Sequence, residues 1–90
     1  MTCNDIYLAA LRKFGDTAED GRSDDYAERA PYILANVITD LSALNVQYCA
    51  MQGKKAAPYF GVRIELEDAF PLADRFAGAV SDHLAAMLTV

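Results

Sequence analysis

Apolar and charged residues alternate along one short stretch of the chain, VRIELE, which runs from Val62 to Glu67. Val62, Ile64 and Leu66 are apolar, and the residue after each of them is charged. A period of two residues is typical of a β-strand that buries one face. No other stretch of the sequence shows this alternation, so the pattern predicts a lone strand or an extended arm at residues 62–67, called the arm below.

A lone strand needs partners for its backbone N–H and C=O groups wherever water is excluded. Three arrangements would supply them. The arm could lie extended across the helices, pair with a short unrecognised strand of the same chain, or add to the edge of a neighbouring molecule by β-augmentation. The third arrangement would make this an assembly protein.

The remaining apolar residues recur at helical spacing, most clearly in the middle of the chain. Asp25 and Glu28 have the form of a capping box at the start of this second predicted helix. Pro31 lacks an N–H and crowds the preceding turn, so we expect a continuous but kinked helix, or else a short helix at 24–29 followed by a longer one from Pro31. The predicted apolar stripe contains Tyr26, Ala30, Ile33, Val37, Leu41, Leu44 and Tyr48, with Leu34 and Ile38 beside it.

The first predicted helix runs from about Cys3 to Phe14. Thr2 and Asp5 form a capping-box pattern at its start, and Gly15 follows it as a C-cap would. The apolar face of this helix consists of Tyr7, Ala10, Leu11 and Phe14.

The third predicted helix begins near Pro71, a residue favoured at the first helical position, and Asp74 in its first turn suits the helix dipole. Gly78 costs about 1 kcal/mol relative to alanine inside a helix, so we interpret it as a point where another helix approaches closely. The predicted apolar stripe contains Leu72, Phe76, Val80, His83 or Leu84, and Met87.

Two loops separate these elements, an acidic loop at 15–25 and a second loop at 49–61. With 90 residues, the chain is expected to form one domain, 1–90. The predicted fold class is mainly α: a small bundle of about three helices with one extended arm or lone β-strand.

Composition excludes several classes of function. The formal net charge is −5 without a basic stripe, which argues against sequence-specific nucleic-acid binding. There is neither an apolar run long enough to span a membrane nor the pattern of a secretory signal at the start. Cys3 and Cys49 lie far apart, which is typical of an intracellular protein with free thiols, although a disulfide between them stays open.

No motif predicts catalysis. Ser81, Asp82 and His83 have the residue types of a hydrolase triad, but consecutive helix residues do not face one another. We interpret His83 as a core or interface histidine. Glu65 and Glu67 share one side of the arm and are interpreted as a solvated face.

Metal and cofactor sites are not predicted either. Lys54 and Lys55 follow Gly53 without the spacing of a phosphate-binding loop, and are interpreted as surface charges that could meet an acidic patch on a partner. One histidine and two distant cysteines do not form a zinc cluster. The expectation is a protein that is not an enzyme, with no catalytic, cofactor-binding or metal-binding residues.

Two segments, DDYAERAPYILANVITDL at 24–41 and FPLADRFAGAVSDHLAAML at 70–88, resemble head–tail connector, or adaptor, proteins of tailed bacteriophages and prophages. The similarity covers about half of the chain. It lies in the Pro71-Leu72 turn, in Asp74 and Phe76, and in the alanine-rich helix that ends in LAAML. The resemblance implies a ring-forming structural protein that docks between portal and tail, in the cytoplasm of a host bacterium or in the virion.

The arm and its flank are the predicted contact region for copies of this chain and for portal or tail proteins. The alternative hypothesis is a small intracellular interaction module that forms a homodimer through the third helix around its glycine. The arm hypothesis predicts that Ile64→Asp abolishes assembly without loss of helix. The predicted interface residues are Tyr59, Phe60, Val62, Arg63, Ile64, Glu65, Leu66 and Gly78.

Overall fold

A computed structural model describes residues 1–13 and 23–88. They form three α-helices, α1 (Cys3–Lys13), α2 (Ser23–Met51) and α3 (Ala77–Leu88), with a short 3-10 turn (Asp74–Phe76) leading into α3. The described residues contain no β-sheet, so the predicted class of a small helical bundle is confirmed. The predicted C-cap at Gly15 and most of the acidic loop lie outside these residues.

The capping box at the start of α1 is confirmed. The backbone N–H of Thr2 donates to Asp5 Oδ2 at 2.8 Å, and the backbone N–H of Asp5 donates to Thr2 Oγ1 at 3.3 Å. These two bonds satisfy groups that a helix leaves without partners at its N-terminus. The helix buries one face, formed by Cys3, Ile6, Tyr7, Ala10 and Leu11.

Helix α2 runs without interruption through Pro31, so the alternative of two separate helices is wrong. The capping box predicted at Asp25 and Glu28 is also wrong, because α2 begins at Ser23 and Asp25 already lies in its first turn. Asp25 instead forms an ion pair with Arg29 one turn later, where Oδ2 lies 3.3 Å from Nε.

Helix α2 is followed, two residues after its end, by a glycine in the left-handed conformation. Gly53 has φ of 75°, and its N–H donates to the Ala50 carbonyl at 3.0 Å. The N–H of Lys54 donates to the Cys49 carbonyl at 2.8 Å. This pair of bonds is the Schellman motif, which satisfies the last carbonyls of a helix and turns the chain away from its axis.

The buried stripe of α2 is rotated relative to the prediction. Ile33 and Leu41 are only partly buried and Leu44 is 54% exposed, whereas Leu34 and Ile38 are fully buried. The reason is that α2 is covered by α3 on one side and by an irregular segment on the other, and the side that carries Leu44 faces neither. The buried apolar residues of α2 are Tyr26, Ala30, Leu34, Ala35, Val37 and Ile38.

Helix α3 packs against both other helices, and Lys13 Nζ of α1 lies 2.7 Å from Asp82 Oδ1 of α3. The predicted start at Pro71 is wrong, because the backbone is still extended at Ala73 (φ −61°, ψ 147°) and α3 begins only at Ala77. The N–H of Ala73 donates a hydrogen bond to a side chain of α2. Because this bond holds Ala73 in the extended conformation, α3 begins further along the chain.

Two predictions about the face of α3 are corrected. Leu84 is fully buried, whereas His83 is exposed and is therefore not a core histidine of this chain. Gly78 is exposed, and a Cβ added to it would meet no atom within 4 Å. No helix of the described residues therefore approaches this glycine.

A candidate protein-binding surface along the connecting segment

Residues 54–73, called the connecting segment, form neither a helix nor a strand; their first part runs back along α2, and the backbone bends at Val62 and turns at 66–67. The backbone N–H of Tyr59 donates to Ser42 Oγ at 2.6 Å. Further along, the N–H of Gly61 donates to Thr39 Oγ1 at 3.3 Å, and the same hydroxyl donates to the Gly61 carbonyl at 3.4 Å. Side chains of α2 thus supply the partners that another strand would have supplied.

The arm itself is fixed by a backbone bond to α2. The N–H of Ile64 donates to the Pro31 carbonyl at 3.1 Å, and the Ile64 side chain is only 6% exposed. Of the three arrangements open to the arm, the structure has the first, in which it lies across the helices. The expectation that Val62, Ile64 and Leu66 share one buried face is wrong, because the backbone bends at Val62 and that side chain is exposed.

The end of the arm, together with Asp68 after it, covers the N-terminus of α1. The N–H of Cys3 donates to the Asp68 carbonyl at 2.9 Å, and the N–H of Asn4 donates to the Leu66 carbonyl at 2.7 Å. These are donors that have no partner inside a helix. Burial, aided by the nearby charge of Asp68, raises the pKa of the Cys3 thiol to about 11.

The outer edge of the connecting segment, formed by Phe60 and Val62, is open. These side chains are 80% and 82% exposed. The N–H groups of Tyr59 and Gly61 point inward to α2, whereas those of Phe60 and Val62 have no hydrogen-bond partner among residues 1–13 and 23–88. This alternation of bonded and unbonded N–H groups is that of a strand at the edge of a sheet.

The glycine between the two residues of the outer edge is packed against the side chain of Tyr59. A Cβ on Gly61 would lie 2.4 Å from the hydroxyl oxygen of Tyr59, so the aromatic ring occupies the space of a side chain. Tyr59 is half-buried, and burial raises the pKa of its hydroxyl. The hydrogen bonds to Ser42 and Thr39 hold the backbone of the outer edge close to α2, and Phe60 and Val62 are left exposed beside it.

The other predicted interface residues have different surroundings. Arg63 forms an ion pair with Glu65, and its guanidinium lies 5.5 Å from the centre of the Tyr32 ring. Leu66 is partly buried against the core. Gly78 lies on α3 and is not part of the connecting segment.

A groove beside the outer edge was not predicted from the sequence. It lies between α2 and the connecting segment, has a volume of about 400 Å³, and is lined chiefly by Ala43, Val46, Pro58 and Phe60. A second cavity of about 390 Å³ shares Val46 and leads to Lys54 and Lys55. The signal in the sequence was weak, because small apolar residues on a helix are as common in a core as on a surface.

Charges of opposite sign lie on either side of the outer edge along the connecting segment. Lys54 and Lys55 are exposed and form no ion pair with any residue that the structure describes. Glu67 and Asp68 are exposed on the other side, and there too the described residues provide no ion pair. The surface therefore has an apolar centre between a basic side and an acidic side.

The residues of the discounted triad are held by other contacts. Ser81 is buried and donates to the Gly78 carbonyl at 2.9 Å, and Asp82 is paired with Lys13. The described parts of the chain contain no group of three or more residues that could hold a metal ion. None of their helices is both long and apolar enough to cross a membrane.

Comparison with known proteins found no matching family model, no matching curated protein and no matching solved structure.

Proposed function

We propose that this chain is an assembly protein of the phage head–tail connector kind, which acts by binding other proteins and not by catalysis. The outer edge carries this proposal. Two large apolar side chains, Phe60 and Val62, are four-fifths exposed next to backbone N–H groups that have no partner among the described residues. Such an edge is suited to binding a strand of another protein by β-augmentation.

Burial of the outer edge would be favourable. Removing a phenylalanine or valine side chain from water contributes roughly 1.5–3 kcal/mol, before the cost of association. The groove beside Phe60 offers further apolar surface for a side chain of the partner. Because the connecting segment is tied to α2 by Ser42 and Thr39, little conformational entropy would be lost when a partner binds.

The connector assignment is supported by the resemblance of segments 24–41 and 70–88. It implies portal and tail proteins as partners, self-association in the assembled ring, and a place in the cytoplasm of a host bacterium or in the virion. The length of the chain and its mainly helical fold are compatible with that role.

A pull-down tests the proposal. Tagged chain is added to lysate of the source cell after induction of a resident prophage, and bound proteins are identified by mass spectrometry. We expect the natural chain and the Met51→Lys variant to recover a portal or tail protein. The Val62→Lys variant should not recover it. Met51 is the matched control, because it is 83% exposed but lies at the end of α2, away from the outer edge.

Equal recovery with Val62→Lys would overturn the role of the outer edge, and recovery of only unrelated cellular proteins would overturn the connector assignment. Ile64→Asp is unsuitable for this test. Its side chain is buried in the core, so the substitution would unfold the chain and assembly would be lost for another reason.

The second candidate is a homodimeric interaction module that uses α3. It is favoured by the open space over Gly78, where a second copy of the helix could approach closely. Replacing Gly78 with leucine would block that approach while leaving the outer edge intact.

A further inference from the structure

We propose that two free copies of this chain pair through their connecting segments, antiparallel and around a two-fold axis at Gly61. This inference rests on the proposed function, because the dimer would occupy the same outer edge that is proposed to bind the connector partner. The occupant is therefore a second copy until a portal or tail protein displaces it.

Backbone geometry selects the register. In an antiparallel pair, opposite residues alternate between those that exchange two N–H···O=C bonds and those that exchange none. Gly61 uses both its N–H and its carbonyl with Thr39, so it belongs to a pair that exchanges none. Phe60 and Val62 are its neighbours, so a two-fold axis at Gly61 places Phe60 of each copy opposite Val62 of the other. The N–H groups of Phe60 and Val62 have no partner among the described residues and are available for this exchange.

The same pairing brings opposite charges together. Lys55 and Glu67 are each six residues from Gly61, and Lys54 and Asp68 are each seven residues from it. The strand register holds only at the centre, because the backbone bends at Val62 and turns at 66–67. Beyond the centre, the antiparallel direction sets the basic side of each segment toward the acidic side of the other. Symmetry produces this juxtaposition twice.

Charge also argues for a specific register over random association. Each chain carries a net charge of −5, so two copies repel one another in most orientations. An arrangement that places Lys54 and Lys55 against Glu67 and Asp68 offsets this repulsion at the contact and disfavours other registers. Phe60 and Val62 would then be buried at the centre, with the charges at the rim, as in protein interfaces generally.

Sedimentation velocity of the full chain over a concentration series tests the inference. We expect a monomer–dimer equilibrium. Lys55→Glu and Glu67→Lys should each raise its dissociation constant by about tenfold or more. A mixture of the two variants, or the double variant alone, should form dimers again. Asp68 is left unchanged, because its carboxylate accepts the N–H of Glu65 at 3.1 Å.

Val62→Lys and Met51→Lys form a second pair of variants for the same measurement. Val62→Lys should be monomeric and Met51→Lys should dimerise like the natural chain. Circular dichroism of each variant checks that the helices are retained, as expected for exposed positions.

A natural chain that stays monomeric at every concentration would overturn the inference. So would dimers unaffected by either charge reversal, failure of the mixture to restore dimers, or open-ended oligomers in place of dimers. A monomer that still recovers a portal or tail protein would overturn the dimer and leave the proposed function standing. A dimer that recovers no phage protein would overturn the proposed function and leave the dimer standing.

Discussion

The side-chain carbonyl of Asn45 accepts a hydrogen bond from the backbone N–H of Ala73 at 2.8 Å. Asn45 is 2% exposed, and it belongs to a row of polar residues on α2, with Thr39 and Ser42, at intervals of three. All three bind the backbone of the connecting segment. This row, and not a second strand, holds the connecting segment at Tyr59, Gly61 and Ala73, whereas the arm is bonded to α2 at Pro31 and to the start of α1.

Replacing Asn45 with alanine should leave the Ala73 N–H buried without a partner. We expect the free energy of unfolding to fall by about 1–3 kcal/mol. Urea denaturation followed by circular dichroism measures the change. Asn36→Ala is the control, because Asn36 is exposed on the same helix and should change stability by no more than about 0.5 kcal/mol. Equal effects of the two substitutions would contradict a structural role for Asn45.

The two apolar residues of the arm should respond differently to truncation. Ile64→Ala removes a side chain that is 6% exposed and should cost about 2–5 kcal/mol. Val62→Ala removes one that is 82% exposed and should change stability by less than about 0.5 kcal/mol. Thermal unfolding of both variants distinguishes the bent arm from a regular strand, for which the two losses would be similar.

The cap of α1 should make stability depend on pH in acid. The hydrogen bond from the Thr2 N–H lowers the pKa of the Asp5 carboxyl below its ordinary value. The ionised Asp5 carboxylate therefore contributes to the stability of the folded chain. This contribution is fully present above the ordinary pKa of about 4, and it is lost as pH falls through the lower pKa of Asp5 in the folded chain. Asp5→Asn is isosteric and does not titrate. The natural chain should have a higher melting temperature than this variant at neutral pH. The difference between the two melting temperatures should vanish as the pH is lowered and Asp5 becomes protonated.

The two free thiols should differ in reactivity. Cys3 is fully buried with a pKa raised to about 11, whereas Cys49 is half-buried and its Sγ lies 3.8 Å from Asn45 Oδ1. Iodoacetamide at mildly alkaline pH should modify Cys49 well before Cys3, because the thiolate is the reactive form. Peptide mapping by mass spectrometry gives the order, and urea should abolish the difference. Equal rates in the folded chain would contradict the burial of Cys3.

Substitution of Gly78 separates the two candidate interfaces. Gly78→Ala should stabilise the chain by up to about 1 kcal/mol, because the added methyl group meets no atom within 4 Å and alanine favours the helix. Gly78→Leu should leave the dissociation constant of any dimer unchanged if copies pair through the connecting segment. Loss of the dimer with Gly78→Leu would favour pairing through α3.

Much of the fold follows from local patterns. The period of three to four residues predicted each helix, and the Thr2–Asp5 box marked the start of α1 correctly, because both depend only on neighbours along the chain. The errors occurred where a distant contact overrode a local signal. Pro71 has the residue type of a helix start, but Asn45 holds Ala73 extended and α3 begins later.

The candidate surface was predicted only in part. The sequence identified the arm and its aromatic flank, but not which side chains of that region are exposed. Val62 and Ile64 are both apolar and share one phase of the alternation, yet the first is exposed and the second is in the core, and nothing in the pattern distinguishes them. The groove at Ala43 and Val46 exists only because the connecting segment lies beside α2.

By itself, the sequence determined a mainly helical chain with one extended stretch, since helical period, capping and strand alternation are local properties of the order of residues. Tertiary structure alone decided where that stretch lies and which of its faces is open. The physical reason is that Thr39, Ser42 and Asn45 meet their backbone partners only after folding brings residues 17 to 28 positions apart into contact. The outer edge at Phe60 and Val62 is the side of the backbone that those contacts leave unused.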